Sequence, residues 1–288
     1  MELKFENITK HYKSKTALDS IDLTLGSGVH ALLGPNGAGK STLMNILVGL
    51  LRPTEGSVTL DGREILSLGA EYRSRLGFMP QDTGFYPTFT GEDMLRYFAA
   101  VKGMKNARRE IDELLEFVNL QEDKGRRCGD YSGGMKRRLG IAAALLGDPD
   151  ILVFDEPTAG LDPKERMRFR NILNRIGRGK LLLLATHIVS DVESIADDVI
   201  LLGEGKIIQH GTLAEVISSG SGCVWECACD DSFADEYALV HTGASIVKTA
   251  SGTHLRIVSA VKPLDNAMPA APTLEDVYML RFGQESGQ

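Results

Sequence analysis

The chain has 288 residues, of which 43% are apolar and 25% are charged, a composition typical of a folded protein with one full-sized domain and a smaller one. Its 39 acidic and 32 basic side chains give a net charge of −7, which argues against a nucleic-acid partner, because neutralising phosphates requires a basic face. The first residues, MELKFENITKHYK, lack an apolar signal-peptide region, and the longest apolar runs are far shorter than the ~20 residues that span a bilayer. We therefore expect a cytoplasmic protein.

The first 215 residues have the pattern of an α/β domain that starts with short antiparallel strands. Four runs of continuous hydrophobicity, separated by helical patterns, occur at residues 29–33, 151–154, 181–185 and 199–202. Continuous rather than alternating apolar residues are typical of strands that are covered on both faces. These runs therefore predict a parallel sheet between layers of helices.

A glycine-rich motif, GPNGAGKST, follows the first of these strands and precedes the apolar helix pattern STLMNILVGL. It matches GxxxxGK[ST], in which backbone N–H groups surround a phosphate, so it predicts a nucleotide site. We expect Lys40 to offset phosphate charge and Ser41 to ligate Mg²⁺. The predicted nucleotide-binding residues of the motif are Gly34, Pro35, Asn36, Gly37, Ala38, Gly39, Lys40, Ser41 and Thr42.

A helical insertion is predicted at about residues 90–140. The stretches TGEDMLRYFAAVKG and ARREIDELLEFVNL have amphipathic patterns, and Thr90 and Asp93 have the spacing of a capping box. The insertion ends in DYSGGMKRRLG, a second turn that could offer N–H groups to an anion. Since one nucleotide needs one phosphate loop, this turn either has no ligand or has one held by another molecule. Lys136, Arg137 and Arg138 form a solvated helix face or steer phosphates, and both interpretations remain open.

Two carboxylates end the apolar strand in ILVFDEP. Asp155 is suited to hold Mg²⁺ through water, and Glu156 to orient or deprotonate an attacking water. Because both follow a strand of the sheet that carries the phosphate loop, we expect them at the same edge.

Residues 216–288 predict a small C-terminal α+β domain. Strand-like stretches occur at 225–229, 245–250 and 254–261, and a helix is predicted from Thr273. Cys223, Cys227 and Cys229 alternate with other residues, as on one face of a strand. This spacing favours small apolar side chains on a buried face over a metal site.

In this order, GPNGAGKST, YSGGM, ILVFDEP, AGLD and TH resemble the nucleotide-binding subunit of an ATP-binding cassette (ABC) transporter, over residues 1–215. The resemblance implies a P-loop NTPase core with an antiparallel β subdomain and a helical insertion. It also implies that ATP and Mg²⁺ are bound, that ATP is hydrolysed, and that two such subunits form a dimer. In that dimer the serine-glycine-glycine turn of one subunit closes over the ATP of the other.

Carried over residue by residue, the resemblance assigns catalytic roles to Glu156, His187 and Gln81, with His187 donating to the γ-phosphate. The metal residues are then Ser41, Gln81 and Asp155. Tyr12 would stack on adenine, although an exposed loop tyrosine is the alternative.

The resemblance also assigns contacts that cross to the ATP of the partner subunit, made by Ser132, Gly133, Gly134 and Asp162. The usual turn of the family reads LSGGQ, whereas this chain has Tyr131 and Met135 at its first and last positions. We expect closure to survive because the serine and both glycines remain.

A finer resemblance, carried by YSGGMKRRL and by the terminal PTLEDVYM, is to ATPase subunits of ABC-2-type exporters. It implies integral membrane permease subunits as partners and a location on the inner face of the cell membrane. An importer subunit is the alternative, and a non-transport ABC ATPase fits less well. Phe85, Tyr86 and Phe89 either dock a permease helix or pack against the helical insertion.

Overall fold

The computed structural model describes residues 1–13, 15–249 and 252–283. Its strands are β1 (Leu3–Tyr12), β2 (Lys15–Leu25), β3 (Gly28–Leu33), β4 (Glu55–Leu60), β5 (Arg63–Glu64), β6 (Leu76–Met79), β7 (Ile151–Asp155), β8 (Leu181–Thr186), β9 (Asp198–Gly203), β10 (Lys206–Thr212), β11 (Val224–Ala228), β12 (Ala244–Thr249), β13 (Gly252–Val258) and β14 (Met268–Pro269). Its helices are α1 (Lys40–Leu47), α2 (Ile65–Leu68), α3 (Ala70–Ser74), α4 (Gly91–Val101), α5 (Arg108–Phe117), α6 (Gly133–Leu145), α7 (Pro163–Ile176), α8 (Val189–Val192), α9 (Leu213–Ser218), α10 (Asp231–Val240) and α11 (Leu274–Phe282).

The central sheet has the strand order β10-β9-β3-β8-β7-β6 within the described ranges. The neighbouring strands from β9 to β6 pair in parallel, and β10 adds an antiparallel edge. The four predicted buried strands are confirmed as β3, β7, β8 and β9. Every residue of β8 is buried, because helices and the antiparallel subdomain cover both faces of the sheet.

The antiparallel subdomain is also confirmed, with the strand order β2-β1-β4-β5 in the part of the chain that the structure describes. Its inward side chains and those of α1 share one hydrophobic core with the central sheet, including Phe5, Leu43 and Val153. Burial of this common surface fixes the subdomain beside the phosphate loop.

The helical insertion contains α4, α5 and the start of α6, as predicted. Thr90 and Asp93 form the predicted capping box at the start of α4. The insertion shares a core with the sheet, in which Leu95, Leu139 and Phe154 are fully buried. Tyr86 and Phe89 pack on each other in tilted geometry and edge-on against Tyr97 of α4, and Phe85 packs edge-on against Phe98 of the same helix. Packing against the insertion is therefore confirmed.

The C-terminal segment forms a sheet of order β12-β13-β11-β14 over the residues described, and the predicted helix begins after Thr273. The last residue of the predicted strand at 245–250 lies outside the described residues. Helix α10 was not expected; its sequence DSFADEYALV buries Ala234 and leaves large apolar side chains exposed, so the apolar periodicity of a helix is weak.

Helix α11 packs on the outer face of the central sheet. Leu274, Val277 and Phe282 share a hydrophobic core with residues of β3, β9 and α8, including Leu33, Val192 and Leu201. This core crosses the predicted domain boundary between residues 215 and 216, and that boundary stays a prediction. Among the residues described, none of the helices combines the length and apolarity that crossing a membrane requires.

Candidate active site

The strand order of the central sheet brings the predicted catalytic segments to one edge. The phosphate loop follows β3, Asp155 ends β7, His187 follows β8, and Gln81 follows β6 after one proline. Because these strands are parallel, their carboxyl ends lie along the same edge, which is where open α/β sheets bind ligands.

The phosphate loop connects β3 directly to the N-terminus of α1. Gly34 is buried so closely against β9 that a Cβ there would overlap the carbonyl oxygen of Leu202. Gly39 precedes the helix with φ of 108°, a conformation that side chains other than glycine rarely adopt. The glycines thus allow the backbone to turn tightly and present N–H groups at the start of α1.

Lys40 lies inside this loop and is buried. Its ammonium donates hydrogen bonds to the carbonyl oxygens of Gly34, at 2.6 Å, and Pro35, at 3.1 Å. Burial lowers the pKa of Lys40, whereas the neighbouring carboxylates of Glu156 and Asp155 act to raise it. The cation is therefore held where phosphate oxygens would be received.

Asp155 is the last residue of β7 and is buried, and its Oδ1 atom has no hydrogen-bond partner. Burial raises the pKa of Asp155, a hydrogen bond from Ser41 lowers it, and the charge of Glu156 raises it. The unpaired carboxylate oxygen of Asp155 and the neighbouring hydroxyl of Ser41 are together suitable ligands for Mg²⁺, which prefers oxygen ligands. The residues present therefore fit the predicted metal.

Glu156 directly follows β7 in the left-handed conformation, with φ of 47°. Its amide donates to the carbonyl oxygen of Ala185 at 2.9 Å, and its own carbonyl accepts a hydrogen bond from Arg137 Nη1 at 2.7 Å. A left-handed backbone at a non-glycine residue is unfavourable, so these two bonds hold a strained residue in place.

The carboxylate of Glu156 faces His187 across the sheet edge. Its Oε1 lies 2.9 Å from His187 Nδ1, whereas its buried Oε2 has no hydrogen-bond partner. The histidine side chain is 52% exposed. One carboxylate oxygen is thus oriented by the histidine, and the other is left to accept a proton or a hydrogen bond.

Arg137 and Arg138 have a role that neither interpretation of the cations at 136–138 predicted, because both side chains bind backbone carbonyl oxygens. Arg138 is buried, and it donates to the carbonyl oxygens of Val118 and Asn119 at 3.1 and 2.7 Å. Arg137 holds the Glu156 carbonyl. This role of Arg137 has no signal in the sequence, because no local pattern relates a helix cation to a residue at a strand end 19 positions later.

The serine-glycine-glycine turn forms the N-terminus of α6, which has 13 residues. Ser132 is exposed and accepts a hydrogen bond from the Met135 amide at 3.2 Å. A Cβ built at exposed Gly133 would meet no atom within 4 Å. Tyr131 and Met135 are both buried, and Tyr131 donates to the carbonyl oxygen of Asp123 at 2.8 Å. The two departures from the usual turn therefore face the protein core.

The remaining predicted residues lie on other elements. Tyr12 ends β1 and is 47% exposed, and Gln81 is exposed beyond β6. Asp162 caps α7 by accepting a hydrogen bond from the Glu165 amide at 2.9 Å, which is a local use of its side chain.

Known proteins are similar to this chain in sequence. The family model described as ABC transporter matches residues 18–159. The Nod factor export ATP-binding protein I of Burkholderia orbicola is 38% identical over 225 residues, which cover 77% of this chain and 74% of that protein. An uncharacterised ABC transporter ATP-binding protein of Bacillus subtilis is 36% identical over 217 residues, covering 74% of this chain and 72% of that protein.

Solved structures are similar over about three quarters of the chain. An ATP-binding subunit of an ABC transporter superposes with a TM-score of 0.69 at 27% identity, covering 76% of this chain and 93% of that one. A dimeric ATP-binding cassette in a post-hydrolysis state, bound to ADP and Pi, has a TM-score of 0.67 at 28% identity and covers 73% of this chain and 98% of that one. From its sequence relatives and its fold, this chain belongs to the ABC transporter family, as an ATP-binding subunit that hydrolyses ATP.

Proposed function

We propose that this subunit powers export through separate integral membrane permease subunits, with two cassettes closing head to tail on two ATP molecules. The relatives named for Nod factor export support the direction of transport. The proposed mechanism of ATP hydrolysis is supported by one observation, which is that four side chains lie together at one sheet edge: Lys40, Asp155, Glu156 and His187.

In this proposal the nucleotide lies on the N–H groups of the phosphate loop, and Lys40 offsets the charge of its terminal phosphates. Ser41 and Asp155 would hold Mg²⁺, which supplies further charge neutralisation at the phosphate oxygens when bound. Gln81 would be a third metal or water contact, and Tyr12 would stack on the base.

Glu156 acts on the attacking water. Its Oε2 atom, which has no hydrogen-bond partner, is the oxygen that orients the water and accepts its proton. The contact between His187 Nδ1 and Glu156 Oε1 aligns the carboxylate. If His187 also donates to the γ-phosphate through Nε2, both ring nitrogens carry protons, because each contact needs an N–H donor.

The turn at Ser132, Gly133 and Gly134 closes on the ATP of the partner cassette. Support comes from the open space around Gly133 and from its position at the start of α6, where backbone N–H groups favour an anion. Asp162 is proposed to cross the same interface.

The permease is proposed to bind an apolar groove of about 780 Å³ between the central sheet and the helical insertion. Phe85, Phe98 and Met104 line one side, while Leu50 and Val101 are about 70% exposed at its rim. Exposed large apolar side chains beside a concave surface suit an amphipathic helix of the permease. The subunit would then be peripheral on the inner face of the membrane.

Affinity capture from detergent-solubilised membranes tests this function. We expect the tagged chain to recover an integral membrane protein, and Leu50→Asp to lose it, because a charge at the rim would have to be desolvated on docking. Leu239→Asp, at another exposed leucine, is the matched control. Equal recovery by all three proteins, or recovery of no membrane protein, would overturn the proposed docking. A recovered permease encoded beside a binding-protein frame would indicate import instead.

A further inference from the structure

His187 begins a short connection that the C-terminal segment holds in place. We call residues 187–193 the switch segment; it contains α8, which has only four residues. A single helical turn is not stable by itself, because helix nucleation is unfavourable. The position of the histidine relative to Glu156 therefore depends on the contacts that anchor the rest of the segment.

One anchor comes from the cassette. Asp191 is fully buried and accepts hydrogen bonds from Arg170 of α7, at 2.9 Å from Nε and also from Nη2. This ion pair fixes one side of α8 to α7, the helix that Asp162 caps.

The other anchor comes from α11. Val192 is fully buried in the core that Leu274 and Val277 complete. Glu193 Oε1 accepts a hydrogen bond from the Leu274 amide at 2.8 Å. That amide is one of the first N–H groups of α11, which have no partner within the helix, so the carboxylate satisfies it and also lies at the favourable end of the helix dipole.

Helix α11 is in turn tied to the C-terminal sheet through Asp276. This buried carboxylate receives hydrogen bonds from Arg256 Nε at 2.9 Å and Nη2 at 2.6 Å, and from the Thr273 amide at 2.7 Å. Arg256 lies on β13 and also pairs with Glu226 of β11. Burial acts to raise the pKa of Asp276, but hydrogen bonds from Arg256 and Thr273 hold it below its usual value.

We propose that Glu193 is a positioning residue for His187, joining the switch segment to α11 and, through Asp276 and Arg256, to the C-terminal sheet. ATP turnover then depends on how the C-terminal segment is seated, whereas ATP binding does not. The inference rests on the proposed role of His187 in hydrolysis.

The test compares Glu193→Ala with Glu193→Gln in the full chain. We expect Glu193→Ala to lower kcat about five- to tenfold with KM unchanged, because it removes one hydrogen bond to a charged acceptor. Glu193→Gln should remain within about twofold of wild type, since its side-chain oxygen can still accept from the Leu274 amide. Glu275→Ala removes an exposed carboxylate from the first turn of α11, next to the Leu274 amide, and is the matched control.

A double-mutant cycle identifies the route of the effect. If Glu193 acts through His187, Glu193→Ala should cause no further loss in a His187→Ala background. No loss of kcat in the wild-type background, the same five- to tenfold loss in both backgrounds, or a matching rise in KM would overturn the inference. Unchanged turnover in His187→Ala alone would instead overturn the proposed role of the histidine. Should Glu193→Ala not fold, Arg256→Gln breaks the tie at the other end of α11 and is tested in the same cycle.

Discussion

Gly133→Asp tests whether the serine-glycine-glycine turn serves the partner subunit. Within one subunit the new side chain has room, because a Cβ at Gly133 meets no atom within 4 Å. A carboxylate in the first turn of α6 also suits the helix dipole, so the isolated subunit should keep its stability. Any defect in dimer formation should therefore arise from the partner subunit and its ATP, which approach this turn in the assembly.

In the closed dimer the new carboxylate would face the γ-phosphate of the partner's ATP. Two unit charges ~4 Å apart at an effective dielectric constant of about 20 repel by about 4 kcal/mol. This energy corresponds to a loss of about a thousandfold in the equilibrium constant for closure. The repulsion should be absent from Gly133→Asn, a neutral side chain of the same size and the matched control.

The assay uses Glu156→Gln as the background, so that ATP is not consumed. Light scattering on a sizing column should show an ATP-dependent dimer for Glu156→Gln, a partial one with Gly133→Asn, and a monomer with Gly133→Asp. Nucleotide affinity, measured at a concentration too dilute for dimers, should be unchanged in all three. A tenfold or greater loss of affinity in the dilute Gly133→Asp protein would show instead that the turn belongs to the same subunit's site.

Three further predictions concern catalysis, the metal site and the C-terminal helix. Glu156→Gln should lower phosphate release at least a hundredfold and leave ATP affinity unchanged, because it replaces the oxygen that accepts the water proton but keeps the phosphate loop; turnover within a few-fold of wild type would contradict the role. Asp155→Asn should raise the melting temperature of the nucleotide-free protein at pH 7.5 and weaken Mg²⁺-dependent ATP binding. Burial raises the pKa of Asp155, so the protonated carboxyl favours folding below its unfolded pKa, and this contribution is lost as the pH rises through the folded pKa. The gain in melting temperature from Asp155→Asn should therefore shrink toward acidic pH. A gain independent of pH would be inconsistent with this cause. Leu274→Ala should lower the free energy of unfolding by about 2–4 kcal/mol in urea titrations, because the side chain is fully buried. Leu239→Ala, at a side chain that is 87% exposed, should change it by less than about 0.5 kcal/mol. Equal effects of the two substitutions would argue against the shared core.

Elements whose signals are local could be predicted from the amino-acid sequence. Continuous apolar runs specify β3, β7, β8 and β9, because strands covered on both faces need apolar side chains at every position. The phosphate loop could be located because its glycines, lysine and serine are neighbours in the chain. The start of α11 was likewise predictable, because Thr273 caps the helix within one turn.

Which of these elements contact one another depends on the packing of the whole chain. The order β10-β9-β3-β8-β7-β6 brings His187 to Glu156, although 31 residues separate them, and places Arg137 on the Glu156 carbonyl. The hydrophobic core that α11 shares with β3, β9 and α8 holds this helix on the outer face of the sheet beside Glu193. Contacts of this kind depend on strand order and on the burial of surfaces far apart in the chain. No short-range pattern encodes them, because the free energy that selects them belongs to the packed core as a whole.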